Sequence, residues 1–272
     1  MRLHHEVVQT NSSSQPDPIA MIVPNVTVSR GFHDEYTNFA DAAHGAADRS
    51  AAPFVRGAHA AGKLSVFKKD LTGLLVVDPY NDFISEGGIL WPLIKEVAEA
   101  VQCVPNMLAV LLAARAAGIR VFFAPHHRDR GPEDEIEGWK YIAPIQKFGH
   151  ERRIFAAGTW GGTFREEFTP LPGEVVAQEH WCSSGFANTD LDLQLKRHGI
   201  HNLIVIGQKA NTCIDSTVRY AAELGYDVTL VKDAIASFRW EEMQATLELN
   251  LPNYATSILS AADTIAALEQ TS

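Results

Sequence analysis

Residue types that can perform nucleophilic chemistry follow short apolar runs at four places in this sequence. Asp78, His126, His180 and Cys213 each come at or shortly after the end of such a run. A cysteine attacks carbonyl carbon atoms as its thiolate, and a neighbouring acid or base can take its proton or orient it. The four residues therefore indicate a cysteine-based catalytic site, provided that the fold brings the ends of these runs together.

Cys213 has the most informative position of the four. It follows an apolar run and a short loop and opens a predicted helix that Asn211 or Thr212 can cap. A thiol at a helix N-terminus has a lowered pKa, and the same turn exposes N–H groups that can hold an oxyanion. The alternative for Cys213 is a buried structural cysteine. Asp78 is interpreted either as a base or orienter of the thiol or as a helix cap or turn residue. Asp82 is interpreted as the turn residue.

The elements that must position these residues alternate in type along the chain. Six apolar runs with little alternation are typical of strands buried on both faces: Leu71–Val77, Ile119–Ala124, Glu174–Glu179, Leu203–Ile206, Asp227–Val231 and Ala255–Leu259. Helical patterns lie between most of them: Ile94–Ala117 with a kink at Pro105, Asp190–Arg197, Cys213–Leu224, Glu241–Asn250 and Ala261–Leu268.

This order predicts parallel strands in an open, doubly wound α/β sheet with helices on both faces. Ligands of such sheets bind beyond the carboxyl ends of the strands, which is where the four reactive residues lie. The long irregular section 125–173 is expected to line the same site.

Composition excludes several classes of protein. With 272 residues, 46% apolar and 21% charged, the chain can build a large core without disulfides. The net charge of -10 and the lack of a basic run disfavour nucleic acid as a partner. No apolar stretch approaches the roughly 18–20 residues that span a bilayer. Three cysteines suit a reducing compartment, so we expect a cytoplasmic protein.

The chain divides near residue 70. Residues 1–70 lack sustained periodicity and are interpreted as an N-terminal extension, either a partly ordered arm or a disordered tail. Residues 71–272 are predicted to form the α/β domain.

Four segments resemble the isochorismatase-like cysteine hydrolases in order and spacing: Leu74–Phe83, Ser184–Leu191, Val205–Thr217 and Gly225–Ala234. The resemblance covers about residues 71–268. It implies a three-layer α/β fold with a mostly parallel six-stranded sheet, in which the first and fourth strands are neighbours. It also implies a small-molecule substrate, no cofactor, and a homodimer or homotetramer.

The resemblance assigns roles to individual residues. Asp78 matches the family's acid/base residue, and Cys213 matches the nucleophile that attacks an amide or ureido carbonyl to form a thioester. The family's cis peptide falls at Gln208–Lys209, which would leave the backbone N–H groups of Lys209 and Cys213 as the oxyanion hole.

One position departs from the family. The family lysine, six residues before Phe186, is His180 in this sequence. Three alternatives follow: His180 replaces the lysine, with a charge that depends on pH; Lys209 or an arginine of the 125–165 loop supplies the charge; or the chemistry is weakened, altered or lost.

The predicted function is hydrolysis of a small amide, carbamoyl or ureido C–N bond through a thioester on Cys213. Enol-ether hydrolysis of the isochorismatase type, or a catalytically weakened relative, is the alternative. No metal is predicted, because His126 and His127 lack the Asp-x-His pattern of the family's metal-binding members. The predicted substrate contacts are Phe83, His126, Trp139, Trp181, Phe186 and Asn211.

Overall fold

The computed structural model of the chain describes residues 67–271. Six strands form one sheet in the order β3-β2-β1-β4-β5-β6, and every neighbouring pair is parallel. The strands are β1 Thr72–Val77, β2 Arg120–Ala124, β3 Val175–Val176, β4 Asn202–Gln208, β5 Asp227–Ala236 and β6 Ser257–Leu259. This confirms the predicted α/β sheet, including the adjacency of β1 and β4.

The central strands are buried on both faces. All six residues of β1 and the six that follow Asn202 in β4 are buried, as their continuous apolar sequences predict for an internal parallel strand. The edge strand β3 is shorter than predicted, with two residues instead of the span 174–179. In contrast, β5 continues to Ala236, beyond the predicted end at Val231.

Helices flank the sheet. They are α1 Asn81–Ile84, α2 Trp91–Ala100, α3 Cys103–Ala116, α4 Pro144–Glu151, α5 Leu191–Arg197, α6 Asp215–Glu223, α7 Trp240–Gln244 and α8 Ala261–Glu269. The chain passes from β1 to β2 in one direction across the sheet and from β4 to β5 in the other. Right-handed crossovers therefore place α3 and α6 on opposite faces, which gives the three layers.

The helix predicted over Ile94–Ala117 is two helices. Gln102 adopts a left-handed conformation with φ of 55°, which ends α2 and starts α3. The predicted kink at Pro105 is wrong because that proline lies in the first turn of α3, where backbone N–H groups have no helical acceptor. Within residues 67–271 no single helix meets the length and hydropathy of a membrane span, and α2 and α3 meet them only as a pair bent by 70°.

The N-terminal extension predicted over residues 1–70 lies outside the described residues as far as residue 66. The last residues of that span belong to the domain, since Phe67 is 5% exposed and packs in the hydrophobic core. A short 3-10 turn at Lys69–Leu71 then leads into β1.

Asp82 fastens the long 125–173 section to the segment after β1. Its buried carboxylate accepts the backbone N–H of Ile89 at 3.0 Å and that of Phe155 at 2.7 Å. Asn81 adds a bond from Nδ2 to the carbonyl of Trp160 at 3.0 Å. Asp82 is therefore more than the turn residue that the sequence indicated, because it joins two distant segments beside the sheet edge.

Gly207 sets the distance between β1 and β4 at the end that leads to the site. It pairs with Val77 across β1 and β4, and a Cβ built on it would lie 2.1 Å from the Val77 carbonyl oxygen. Its φ of 130° also belongs to the region that only glycine adopts readily. The residue after Val77 is Asp78, so this close approach fixes where the Asp78 backbone lies.

We expect Gly207→Ala to lower the free energy of unfolding by about 3 kcal/mol or more, because backbone strain and a backbone clash add. Gly225→Ala is the matched control: Gly225 also has a positive φ, of 89°, but nothing lies within 4 Å of its Cβ position. Strain alone should then cost about 1–2 kcal/mol. Equal losses in denaturant titrations would contradict the role given to the Gly207–Val77 contact.

Candidate active site

The carboxyl ends of four neighbouring strands meet at one edge of the sheet. Val77 pairs with Ala124 of β2 and with Gly207 of β4, so the chain beyond each strand starts at the same level. His180 reaches this level through an isolated bridge to His126 and donates its backbone N–H to Pro125 at 2.9 Å. Segments far apart in the sequence therefore deliver their polar residues to one place.

The structure brings Asp78, His180 and Cys213 together. One side-chain donor atom from each residue lies within 4.8 Å of the other two, and all three residues are buried. His180 Nε2 lies 3.2 Å from Asp78 Oδ1, a contact in which the ring N–H donates to the carboxylate. Asp78 itself has a φ of 51°, an uncommon conformation outside glycine that points to a functional constraint.

Two buried polar atoms of this cluster have no hydrogen-bond partner. They are Asp78 Oδ2 and His180 Nδ1, the atoms of each side chain that do not take part in the Asp78–His180 contact. Such atoms are rare in native interiors and are expected where a site is completed by a ligand or by a reacting group.

Other candidate cations are paired elsewhere. Lys209 Nζ lies 3.3 Å from Glu242 Oε2 and 4.0 Å from the centre of the Phe238 ring. Burial lowers the pKa of Lys209, against the opposing effect of Glu242 and of the Cys213 thiol. Arg128 pairs with Glu179 at 2.6 Å. His180, in contrast, contacts Asp78 directly.

Cys213 lies in a π-helical turn, Ala210–Ile214, which continues into α6. The prediction that Asn211 or Thr212 caps this helix is wrong, because Lys209 precedes the turn and no side chain caps it. The Asn211 amide oxygen instead lies 2.8 Å from Ser237 Oγ, and Thr212 Oγ1 lies 3.9 Å from Cys213 Sγ.

The predicted lowering of the Cys213 pKa is also wrong. Burial raises the pKa of the Cys213 thiol well above its ordinary value, and the negative charge of Asp78 raises it further. The Thr212 hydroxyl and the Lys209 backbone N–H act in the opposite sense, but more weakly. The sequence argument assumed a thiol near solvent at a helix end, whereas desolvation of the thiolate dominates at this buried position.

The peptide bond between Gln208 and Lys209 is cis, as the family resemblance implied. The Lys209 backbone N–H is directed at Cys213 Sγ. A donor at this position lies beside the atom to which an attacked carbonyl would be bonded. The participation of the Cys213 N–H in an oxyanion hole stays a prediction.

A cavity of about 410 Å³ opens beside the residues that follow His180. Two of the predicted substrate contacts, Trp139 and Trp181, line it, with ring centres 4.8 Å apart. Sequence reasoning did not assign a substrate role to its other lining residues, which are Gln146, Cys182, Ser183, Ser184, Ala187 and Asn188. Ser183 and Ser184 carried a usable signal, since they follow a strand end, but Gln146 enters from α4 and carried none.

The remaining predicted substrate contacts lie in different surroundings. Phe83 and Phe186 are 5% exposed and pack in the hydrophobic core, Phe83 against Phe155 and Phe186 against Tyr226. The His126 ring lies 5.0 Å from that of His180, and burial, assisted by His180, lowers the pKa of His126 to about 4. Contact of Phe83, Phe186 and His126 with substrate stays a prediction.

Glu179 supports the wall of the cavity. Its carboxylate contacts Arg128 and lies 3.5 Å from His127 Nδ1, while His127 Nε2 bonds Asp134 at 2.7 Å. The His127 ring in turn stacks on Trp181 at 3.8 Å. Although burial opposes it, the hydrogen bonds from His127 and Arg128 bring the pKa of Glu179 down to about 2.

Comparison with known proteins gives a match to a protein family. The family model for the isochorismatase domain matches residues 72–262. The ureidoacrylate amidohydrolase RutB of Pantoea ananatis is 31% identical over 176 residues, which cover 62% of this chain and 70% of that protein. RutB of Rhizobium rhizogenes is 28% identical over 75% of this chain and 85% of its own length.

The fold matches as well. The crystal structure of a cysteine hydrolase from Pseudomonas syringae pv. phaseolicola 1448A has a TM-score of 0.62 and 23% identity, and the match covers 75% of this chain and 95% of that one.

We expect alkylation of Cys213 by iodoacetamide to be slow at neutral pH, with a midpoint above the free-thiol value of about 8.5. The Asp78→Asn variant should shift the midpoint to lower pH, because it removes the negative charge that opposes thiolate formation. Mass spectrometry of the Cys213 peptide across pH measures the midpoint of labelling in the wild type and in Asp78→Asn. The Cys213→Ser variant verifies that the labelled peptide is the one that contains Cys213. Fast labelling with a midpoint below pH 7 would contradict a thiol that rests protonated.

Proposed function

The chain belongs to the isochorismatase family of hydrolases, and from that premise we propose that it is an amidohydrolase that cleaves a C–N bond of a small amide, carbamoyl or ureido substrate through a thioester on Cys213. The observation that carries the proposal is the buried cluster of Asp78, His180 and Cys213. The relatives named ureidoacrylate amidohydrolase support the reaction class.

The first step is attack of Cys213 Sγ on the carbonyl carbon. Because burial keeps the thiol protonated, its proton passes to the Asp78 carboxylate as the carbon–sulfur bond forms. This coupling avoids a free thiolate beside an ionised carboxylate in a site without solvent. Asp78 is thus the general base, and Cys213 the nucleophile.

The tetrahedral intermediate carries its negative charge on the former carbonyl oxygen. We assign the Lys209 N–H, together with that of Cys213, to stabilise this oxygen. As the C–N bond breaks, Asp78 returns its proton to the leaving nitrogen, which departs as ammonia or an amine. A water molecule, deprotonated by Asp78, then attacks the thioester, releases the acid and restores the Cys213 thiol.

His180 is a positioning residue in this scheme. Its Nε2–H holds Asp78 Oδ1 at 3.2 Å and leaves Oδ2 without a partner, so that this oxygen is available to the reacting proton. A lysine at this position would supply a fixed positive charge, whereas the imidazole supplies a hydrogen bond whatever its protonation state. The contact supports the first of the three alternatives drawn from the sequence.

The cavity lined by Trp181 and the residues that follow it is suited to a small planar substrate. Trp139 and Trp181 offer flat apolar walls, and Gln146, Ser183 and Asn188 offer hydrogen-bonding groups. Amide and ureido groups are planar and carry both donors and acceptors, so this lining complements them. We also assign a substrate contact to Asn211, whose amide oxygen accepts a hydrogen bond from Ser237 Oγ.

The assembly and the compartment belong to the same proposal. We propose a homodimer or homotetramer without nucleic-acid or membrane partners, in the cytoplasm. Tyr141 and Leu249 are exposed apolar side chains that a subunit contact would cover. The net charge of -10 disfavours polyanions as partners. Size-exclusion chromatography with light scattering tests the assembly, and a monomeric mass would contradict it.

We expect Cys213→Ala and Asp78→Asn each to reduce kcat by about 10³-fold or more, because each removes a group that forms or breaks a bond. His180→Ala should lose part of this rate, and His180→Lys should keep turnover because it restores the family residue. Ammonia release from a panel of primary amides, N-carbamoyl amino acids and ureido acids measures the rates.

His201→Ala is the matched control, since His201 is exposed and precedes β4 at the opposite end of the sheet. It should leave the rate unchanged. Mass spectrometry of quenched wild-type reactions should show an acyl adduct on the Cys213 peptide. Turnover that survives Cys213→Ala would overturn the thioester mechanism and favour enol-ether hydrolysis.

A further inference from the structure

We propose that Asp78, His180 and Cys213 form a binding site for a thiophilic divalent cation, Zn²⁺, and that bound metal and the thioester chemistry exclude one another. Metal binding itself does not depend on the proposed function. Only the inhibitory consequence rests on it.

The spacing of the three side chains fits zinc coordination. One donor atom from each lies within 4.8 Å of the other two, close enough for a single ion to contact all three after small side-chain rotations. The distance between His180 Nε2 and Asp78 Oδ1 is 3.2 Å. Two ligands that are each about 2.0–2.1 Å from a tetrahedral zinc ion lie about 3.3 Å apart, so this pair is already at ligand spacing.

The donor types also fit. Thiolate sulfur, imidazole nitrogen and carboxylate oxygen are the ligands that zinc prefers, and three protein ligands with a fourth position for water form a common arrangement. The residue at position 180 decides this property. A lysine there presents an ammonium that repels a cation, whereas a histidine presents a lone pair. The departure of this chain from its family therefore converts the cluster into a set of metal ligands.

The unpartnered atoms favour an occupant. Asp78 Oδ2 and His180 Nδ1 are buried without a hydrogen bond, in side chains that are at most 1% exposed. A bound ion can supply the interaction that Asp78 Oδ2 lacks, since this oxygen belongs to a carboxylate that would ligate the ion. The charges also balance, because one carboxylate and one thiolate neutralise a divalent ion, so the occupied site carries no net charge into the interior.

The second cluster of metal-ligating types within residues 67–271 is a weaker candidate. It comprises His127, Asp134 and the exposed Glu135. Both ring nitrogens of His127 already face carboxylates, at 2.7 Å from Asp134 and 3.5 Å from Glu179. A metal at that cluster would have to displace two contacts of His127. At the first cluster it would displace one contact, the Asp78–His180 hydrogen bond, and would gain the unpartnered oxygen Asp78 Oδ2.

Occupancy would stop the hydrolysis. When Zn²⁺ binds, the Cys213 thiol releases its proton to solvent and the His180 ring proton shifts from Nε2 to Nδ1. The sulfur and Nε2 lone pairs then form the metal bonds, so Sγ no longer attacks a carbonyl carbon. An Asp78 oxygen that coordinates the ion no longer accepts the proton. The cation is thus a reversible inhibitor, distinct from a cofactor.

Titration of the full chain with Co²⁺ tests binding without any substrate. We expect a sulfur-to-metal charge-transfer absorption that saturates with Co²⁺ and disappears when Zn²⁺ displaces it. Cys213→Ser should abolish the band. His180→Lys should weaken binding by roughly 100-fold or more, since the loss of a supporting contact alone costs roughly 10–100-fold. His201→Ala should behave as wild type.

Several results would overturn the site. They are the absence of the band in wild type, a band that persists in Cys213→Ser and so arises at Cys103 or Cys182, and equal affinity in His180→Lys. His180→Gln serves as a second variant if thermal melts show that His180→Lys is unfolded.

Protection of Cys213 from iodoacetamide links binding to chemistry. Zn²⁺ should block labelling of wild type, a chelator should restore it, and His180→Lys should label equally with and without metal. If no substrate is turned over, these experiments still decide the metal site, and if no metal binds, turnover is unaffected. Turnover that rises with bound Zn²⁺ would overturn mutual exclusion.

Discussion

A buried carboxylate at the end of β1 is the constraint on which the site depends. Asp78 has no exposed surface, and an ionised carboxylate in such a place is costly unless other groups compensate it. The fold gives it a hydrogen bond from His180 and contact with the Cys213 thiol. Three features hold those groups around this carboxylate. They are the close approach of Gly207 to Val77, the β-bridge of His180 and the turn that contains Cys213.

A second aspartate four residues later shows the contrast between a structural and a reactive carboxylate. Asp82 is also buried, but each of its oxygens accepts a backbone N–H, from Ile89 and from Phe155. It is satisfied and inert, and it joins the long 125–173 section to the sheet edge. Asp78 keeps one oxygen without a partner. The difference in hydrogen bonding therefore makes Asp82 a structural residue and leaves Asp78 with an oxygen that can accept a proton.

The arrangement of the sheet could be read from the sequence because it follows from short-range patterns. Continuous apolar runs identified β1 and β4, and the family motifs indicated their adjacency, which places Asp78 near Cys213. The break at Gln102 could not be read in this way, since it depends on one left-handed residue inside a helical pattern. The thiol pKa was predicted in the wrong direction, because the burial of Cys213 results from packing by segments distant in sequence. Gln146 was missed for the same reason: α4 brings it to Trp181 across 35 positions of the chain.

The three members of the cluster are not anchored equally. Asp78 and Cys213 follow strands in the middle of the sheet, but His180 follows β3, an edge strand of two paired residues. Short edge elements with few buried contacts open at a smaller free-energy cost than the core does. The bridge to His126 and the N–H bond to Pro125 hold His180 beyond that short strand. Opening of the edge together with this bridge would withdraw the imidazole while Asp78 and Cys213 stay in place.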